Sequence, residues 1–202
     1  AHGGDHAVTA VMLGERCVLA RLEAPAAGSR PILAAAAEGT VHDLRRWRED
    51  GLFRRSLTLL VLPTEERQLL TLDRPEVPEA ELALAVRWPL AEAMEADADT
   101  LLTAAQSMPT VNDNQRPQVL AVASRLPVVR QHLATLRSAG IAARSIDVVD
   151  SALRGMALLQ ASDGTDKDDE SSNGRVVLAF LGNTMGIGLV WRGAFCALRT
   201  LA

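Results

Sequence analysis

Apolar and polar positions alternate in short runs near both ends of the chain and fall at helical spacing in its middle. Val8–Leu13 and Cys17–Leu22 flank a turn at Gly14-Glu15, which predicts a hairpin. Ala24–Arg30 carries Pro, Ala, Gly and Ser and reads as a loop; Ile32–Ala37 predicts a third strand. In His42–Asp50, Leu44 and Trp47 recur at i, i+3, and Gly51 stands where a glycine cap would close a helix. Leu57–Leu62 is continuously apolar, as in a strand covered on both faces. The opening therefore predicts βββαβ.

From Leu69 the pattern changes to strand, helix, strand, strand, helix, strand. Leu69–Leu72, Leu101–Met108, Gln118–Ala123 and Ala143–Val149 are the strands. Glu79–Met94 places Leu82, Val86, Leu90 and Met94 on one stripe, with Glu79 and Glu81 favourably set at the positive end of the helix dipole. Pro89 lies inside that stripe, lacks the N–H a helix needs and predicts a kink near Trp88. Val128–Ala139 puts Val129, Leu133 and Leu136 on one face and ends at Gly140. This is the pattern of a ferredoxin-like βαββαβ unit, a small sheet with two helices on one face.

Asp150 can cap a helix over Ser151–Gln160, Asp163–Gly174 is a solvated acidic linker, and Val176–Leu181, Gly186–Trp191 and Phe195–Leu201 predict three more strands. These repeat the opening βββ. The expected architecture is α/β: an actin-like (ribonuclease H-like) βββαβ core whose second lobe is truncated, interrupted by the βαββαβ subdomain. Residues 1–67 would be the first part of the core, 68–148 the insertion, and 149–202 the return helix, linker and start of the second lobe.

Composition narrows the function. An apolar share of 48% supplies a real core, but aromatics are only 3%, with no Tyr, which leaves little for base-stacking platforms. The net charge of −4 gives no general attraction to nucleic acid. Cys17 and Cys196 are too few and too far apart for a disulfide framework and read as reduced, buried thiols. No apolar run reaches the roughly 18 residues of a membrane span, and Ala1–His6 is small and polar, unlike a signal peptide. A cytoplasmic protein is expected.

Candidate chemistry is sparse. Actin-like folds hold phosphates in the β1–β2 turns of both lobes. Here the first turn is Leu13-Gly14-Glu15-Arg16, where Glu15 repels phosphate; the second is Phe180-Leu181-Gly182-Asn183-Thr184, in which Gly182, Asn183 and Thr184 suit a nucleotide phosphate but Phe180 is apolar. Neither Walker nor dinucleotide glycine spacing occurs, so ordinary turns are the favoured reading. His2, Asp5 and His6 are a chelating trio on an end expected to fray, and the run Asp163, Asp166, Asp168, Asp169, Glu170 lacks EF-hand spacing, so no metal site is expected. No nucleophile motif occurs and no catalytic residue is assigned. Arg45, Arg46, Arg48, Arg54 and Arg55 form a basic cluster, read first as a solvated face and second as a docking patch for an acidic partner or an anionic membrane. Arg87-Trp88 offers an interface anchor, with core filling the favoured role for the Trp.

The run Val77-Pro78-Glu79-Ala80-Glu81-Leu82-Ala83-Leu84-Ala85-Val86-Arg87-Trp88, then Leu120-Ala121-Val122-Ala123 before a helix, Ala139-Gly140-Ile141 and Ser145-Ile146-Asp147 resemble the cytoplasmic actin-like proteins of type IV pilus and type II secretion assembly. The resemblance spans roughly residues 8–201 and is closest to the MshI type of mannose-sensitive haemagglutinin (MSHA) pilus biogenesis, with the PilM type and the cytoplasmic part of the GspL type more distant. It implies a non-catalytic scaffold on the inner face of the inner membrane that binds the cytoplasmic tail of a membrane-anchored assembly protein, with the assembly motor ATPase and self-association as further contacts. PilM-type relatives bind ATP; the secretion relatives mostly do not. Phe180 stands where the nucleotide binders carry Asp, and Pro89 replaces the usual polar residue after Arg-Trp, so no cofactor is expected; an ATP-gated scaffold is the alternative. A partner groove is expected at the seam of the insertion and the return helix, lined by Arg87, Trp88, Leu153, Arg154 and Met156.

Overall fold

The computed structural model describes residues 7–24, 31–110, 116–152, 154–155, 174–181, 184–191 and 194–201. The chain divides into two compact units: Ala1–Glu66 with Arg125–Val148, and Arg67–Ser124 with Val149–Ala202.

The first unit is a five-stranded mixed sheet. β1 (Ala7–Met12), β2 (Cys17–Glu23) and β3 (Ile32–Gly39) form an antiparallel meander, as the alternating pattern predicts. α1 (Leu44–Glu49) then crosses to β4 (Leu57–Leu62), which pairs parallel to β1. Gly51 takes φ +84, the left-handed conformation that only glycine adopts cheaply. The unit is completed by α4 (Leu126–Ser138) and β8 (Ser145–Val148), which pairs parallel to β4 and gives the order β3-β2-β1-β4-β8. Parallel neighbours need a crossover, and α1 and α4 supply the two required here. One sheet face supplies the buried set Val11, Leu19 and Leu60; Leu44 and Trp47 of α1 and Val129 and Leu136 of α4 are buried as well. Thr9, also buried, is satisfied: its hydroxyl donates to Leu52 O at 2.9 Å and lies 2.8 Å from Ser56 Oγ.

The place of β8 corrects the expected βαββαβ unit. The helix and strand after residue 125 hydrogen-bond into the five-stranded sheet, not into the insertion's sheet. Local periodicity cannot choose between them, because a strand after a helix pairs wherever an open edge accepts it. What remains is βαββ: β5 (Gln68–Asp73), β6 (Leu101–Ser107) and β7 (Gln118–Arg125), in the order β5-β7-β6.

In the second unit the expected stripe is present, with Leu82, Val86 and Leu90 fully buried against Val119 and Ala121 and with Met94 half-buried beside them. The helix is broken, however. α2 (Leu82–Ala85) and α3 (Arg87–Ala93) meet at Val86, where Pro89 has no N–H to return to Ala85. At its far end Glu95 takes φ +46, while Ala96 N donates to Ala91 O at 3.0 Å, a left-handed helix stop without a glycine. At its near end Glu79 Oε2 accepts from Ser107 Oγ at 2.7 Å and Arg74 Nη2 lies 3.5 Å away. The Ser107 hydroxyl and N–H, with Arg74 beside them, hold the Glu79 carboxyl below its ordinary range. A folded value below the unfolded one lends stability above the ordinary carboxylate range, lost as pH falls through the folded value. Ser107→Ala should move the Glu79 titration upward, as read by NMR of the side-chain carboxyl.

β9 (Gly174–Leu181), β10 (Thr184–Trp191) and β11 (Ala194–Leu201) form a second antiparallel meander that repeats the pattern of β1–β3. Residues 149–152 and 154–155 are helical. Asp150 there is buried and takes both nitrogens of the Arg67 fork, Nε to Oδ2 and Nη2 to Oδ1, each at 2.7 Å.

Candidate functional site

Of the five residues expected at the partner groove, Arg87 and Trp88 stand together at the start of α3. Trp88 is 75% exposed, which overturns its favoured role as core filler. The reason is angular. At about 100° per residue, Trp88 lies two steps from Val86 and two from Leu90, and so opposite the buried stripe. Leu84, one turn earlier on the same side, is 61% exposed. Beyond Trp88 opens a groove of about 760 Å3, lined by Trp88, Pro89, Ala91, Glu92, Glu95, Ala96, Asp97 and Ala98. The small alanines leave the space that larger side chains would fill.

Arg87 turns away from this groove toward Asp99, Nη1 to Oδ1 at 3.7 Å, and its Nε is buried with no hydrogen-bond partner. A buried donor left unmade costs about 1–3 kcal/mol. Arg154 is half-buried and does not line the groove. Leu153 and Met156 lie outside the described residues. Glu92, Glu95 and Asp97 were not singled out from sequence; the signal was available in the spacing of Glu92, one turn past Trp88 on the same face.

The nucleotide turns divide in the same way. At the first, Leu13 is buried, Glu15 is exposed, and Arg16 pairs with Glu38 at 2.7 Å. A Cβ added at Gly14 would meet only Arg16 O, at 3.5 Å, an ordinary contact, so close backbone approach does not dictate the glycine. At the second, β9 carries Phe180 opposite Met185 and β10 begins at Thr184, while Gly182 and Asn183 lie outside the described residues.

Within the basic cluster, Arg46 pairs with Asp43 at 2.9 Å, and Arg48 lies against Gly140, where an added Cβ would come within 3.1 Å of its Nε. Arg45, Arg54 and Arg55 are exposed. Arg21 Nη1 donates to Leu52 O and Arg54 O, pinning the 50–56 loop, and a second, polar hollow of about 640 Å3 opens beside it. Burial pushes the Cys17 thiol up, so it stays protonated near neutral pH; Cys196 is half-buried, and neither is in a disulfide. His132 Nε2 lies 2.6 Å from Glu66 Oε2. No three potential metal ligands gather among the described residues. No helix among them is long and apolar enough to cross a membrane.

No family model and no curated protein matches the sequence. Solved structures do match the fold. The cytoplasmic domain of EpsL, an inner membrane component of the type II secretion system of Vibrio cholerae, aligns with a TM-score of 0.60 at 11% identity, covering 96% of this chain and 71% of that one. A chain of the PilM-PilN type IV pilus biogenesis complex aligns with a TM-score of 0.67 at 19% identity, over 96% of this chain. This chain spans 61% of that one's length. A protein of unknown function with an actin-like ATPase fold from Bacteroides thetaiotaomicron aligns with a TM-score of 0.55 at 7% identity, over 98% and 70% of the two chains. Identities this low speak to fold alone. The fold is actin-like, and structural neighbours include components of type II secretion and type IV pilus biogenesis.

Proposed function

We propose that this protein is a non-catalytic scaffold of type IV pilus biogenesis, of the MSHA type, at the cytoplasmic face of the bacterial inner membrane. It binds the cytoplasmic tail of a membrane-anchored assembly protein and meets the assembly motor ATPase. The observation that carries this reading is the fold shared, over nearly the whole chain, with a component of a pilus biogenesis complex. An exposed Trp on a short, kinked helix supports it, since Trp is a favoured anchor of protein interfaces. The MSHA type is the part of this reading supported by the sequence resemblance alone.

A second reading, an actin-like protein whose bound ATP gates assembly, draws on the fold of the Bacteroides neighbour. It would use Gly182, Asn183 and Thr184. Against it stand Phe180 ahead of that turn and the absence of any steric need for glycine at Gly14.

One set of titrations separates the two. Synthetic cytoplasmic tails of the membrane-anchored pilus assembly proteins are titrated into the full chain by calorimetry, and melting is followed with and without Mg-ATP. The scaffold reading expects a saturable isotherm with one tail and an unmoved melting temperature. A nucleotide at 100 times its Kd would add about 2.7 kcal/mol of stability; a melting temperature raised to match would replace the scaffold with the ATP-gated reading. Flat isotherms with every tail would remove the tail-binding function.

A further inference from the structure

We propose that the groove beside Trp88 docks a cationic amphipathic segment, with aliphatic side chains laid against Trp88 and Leu84 and Lys or Arg heads reaching Glu92, Glu95 and Asp97. This rests on the reading of the protein as a partner-binding scaffold and specifies the chemistry of the segment bound there.

The apolar half of the site is the exposed strip of Leu84 and Trp88, i and i+4 on the outer side of α2 and α3, continued by Pro89 and the alanines of the groove lining. A large aromatic left in water beside an open groove is the kind of patch that marks an interaction surface. The polar half is acidic. Glu92, Glu95 and Asp97 stand around the groove, and none is paired with a cation of the described residues. Asp97 accepts one hydrogen bond, from Asp99 N at 3.0 Å, and keeps acceptor capacity. The neighbouring cation, Arg87, is turned to Asp99. A groove lined by apolar side chains and unneutralised carboxylates selects its occupant by charge. An acidic segment would be repelled. An anionic lipid surface would be repelled too, although an exposed Trp beside a Pro otherwise suits a membrane interface. A segment with aliphatic residues on one side and cations on the other satisfies both halves.

The probe is a designed helical peptide of about three to four turns, with Leu along one face and Lys along the other, and its counterpart with Glu in place of every Lys. Binding to the full chain is followed by Trp fluorescence at physiological salt. The Lys peptide should bind and shift the Trp emission to shorter wavelength, and its affinity should fall as salt is raised. Trp88→Ala and the double variant Glu92→Lys with Glu95→Lys should each weaken it at least tenfold, by anisotropy of a labelled peptide. Both changes are on exposed side chains, and far-UV circular dichroism and melting confirm that the variants are folded. The Glu peptide and anionic phosphatidylglycerol vesicles should leave the emission unmoved. Equal affinity for the two peptides, or a Lys peptide insensitive to the double variant, would overturn the cationic assignment. Insensitivity to Trp88→Ala would overturn the site, and a shift with vesicles would replace the peptide by a membrane. The parent reading is judged separately: a native tail that binds in calorimetry yet ignores the double variant leaves the scaffold standing and removes this chemistry alone.

Discussion

Asp150→Ala is expected to destabilise the second unit by about 3–5 kcal/mol. The Arg67 guanidinium and the Asp150 carboxylate meet through two 2.7 Å bonds, and their side chains are only 8% and 5% exposed. Removing the carboxylate takes from a buried guanidinium the two bonds it makes to Asp150. The pair is not therefore a large net source of stability, because bringing both charges out of water is itself costly. Two further variants separate these statements. Arg67→Met with Asp150→Leu should recover most of the loss, since neither charge is then buried. Arg67→Lys should itself be costly, because an ammonium cannot fill a two-pronged carboxylate contact. Urea denaturation monitored by circular dichroism measures all three against the wild type; a double variant as unstable as Asp150→Ala would show that the packing around the pair, and not its charge, sets the cost.

Trp47→Ala should cost the first unit about 3–5 kcal/mol. α1 has six residues, too few to hold together without packing. Leu44 and Trp47 are its buried residues, so the helix exists because the sheet accepts them. The neighbouring strand is cut back to receive the indole: a Cβ on Gly39 would come within 3.1 Å of Trp47 Cζ2 and 2.6 Å of Asp43 Oδ2. Gly39→Ala should therefore destabilise the native protein yet cost less in the Trp47→Ala background, where the indole no longer crowds that position. A double-mutant cycle in urea reads the coupling. Strict additivity would mean that the Asp43 carboxylate alone makes Gly39 necessary.

The two units were not equally legible. The meanders β1–β3 and β9–β11, α1 with its glycine stop, and the Leu82-Val86-Leu90 stripe are local patterns, and they stand where the spacing put them. The break before Pro89 was legible for the same reason, because proline acts on its own turn. β8 was misplaced because pairing is not local: the pattern of residues 126–148 is satisfied equally by either sheet. Trp88 was misjudged by residue type, although its distance from the stripe already placed it outside. The Arg67–Asp150 clamp joins positions 83 apart and left no trace in the pattern. Among the expected partner residues, Leu153 and Met156, and in the second nucleotide turn Gly182 and Asn183, lie outside the described residues.

The pairing of β4 with β8 also bears on the order in which the chain acquires its structure. On a ribosome, β4 emerges and finds β1 soon afterwards, but its other edge has no strand to meet until residues 145–148 are made. All of residues 67–124 come first. During synthesis the first sheet thus waits with an apolar strand open on one side, a vulnerable edge of the sort that invites mispairing. Closing it is a long-range event, slowed by the entropy of the intervening loop. Were residues 67–124 to condense before residue 145 is made, the loop that β8 must close to reach β4 would be the shorter for it.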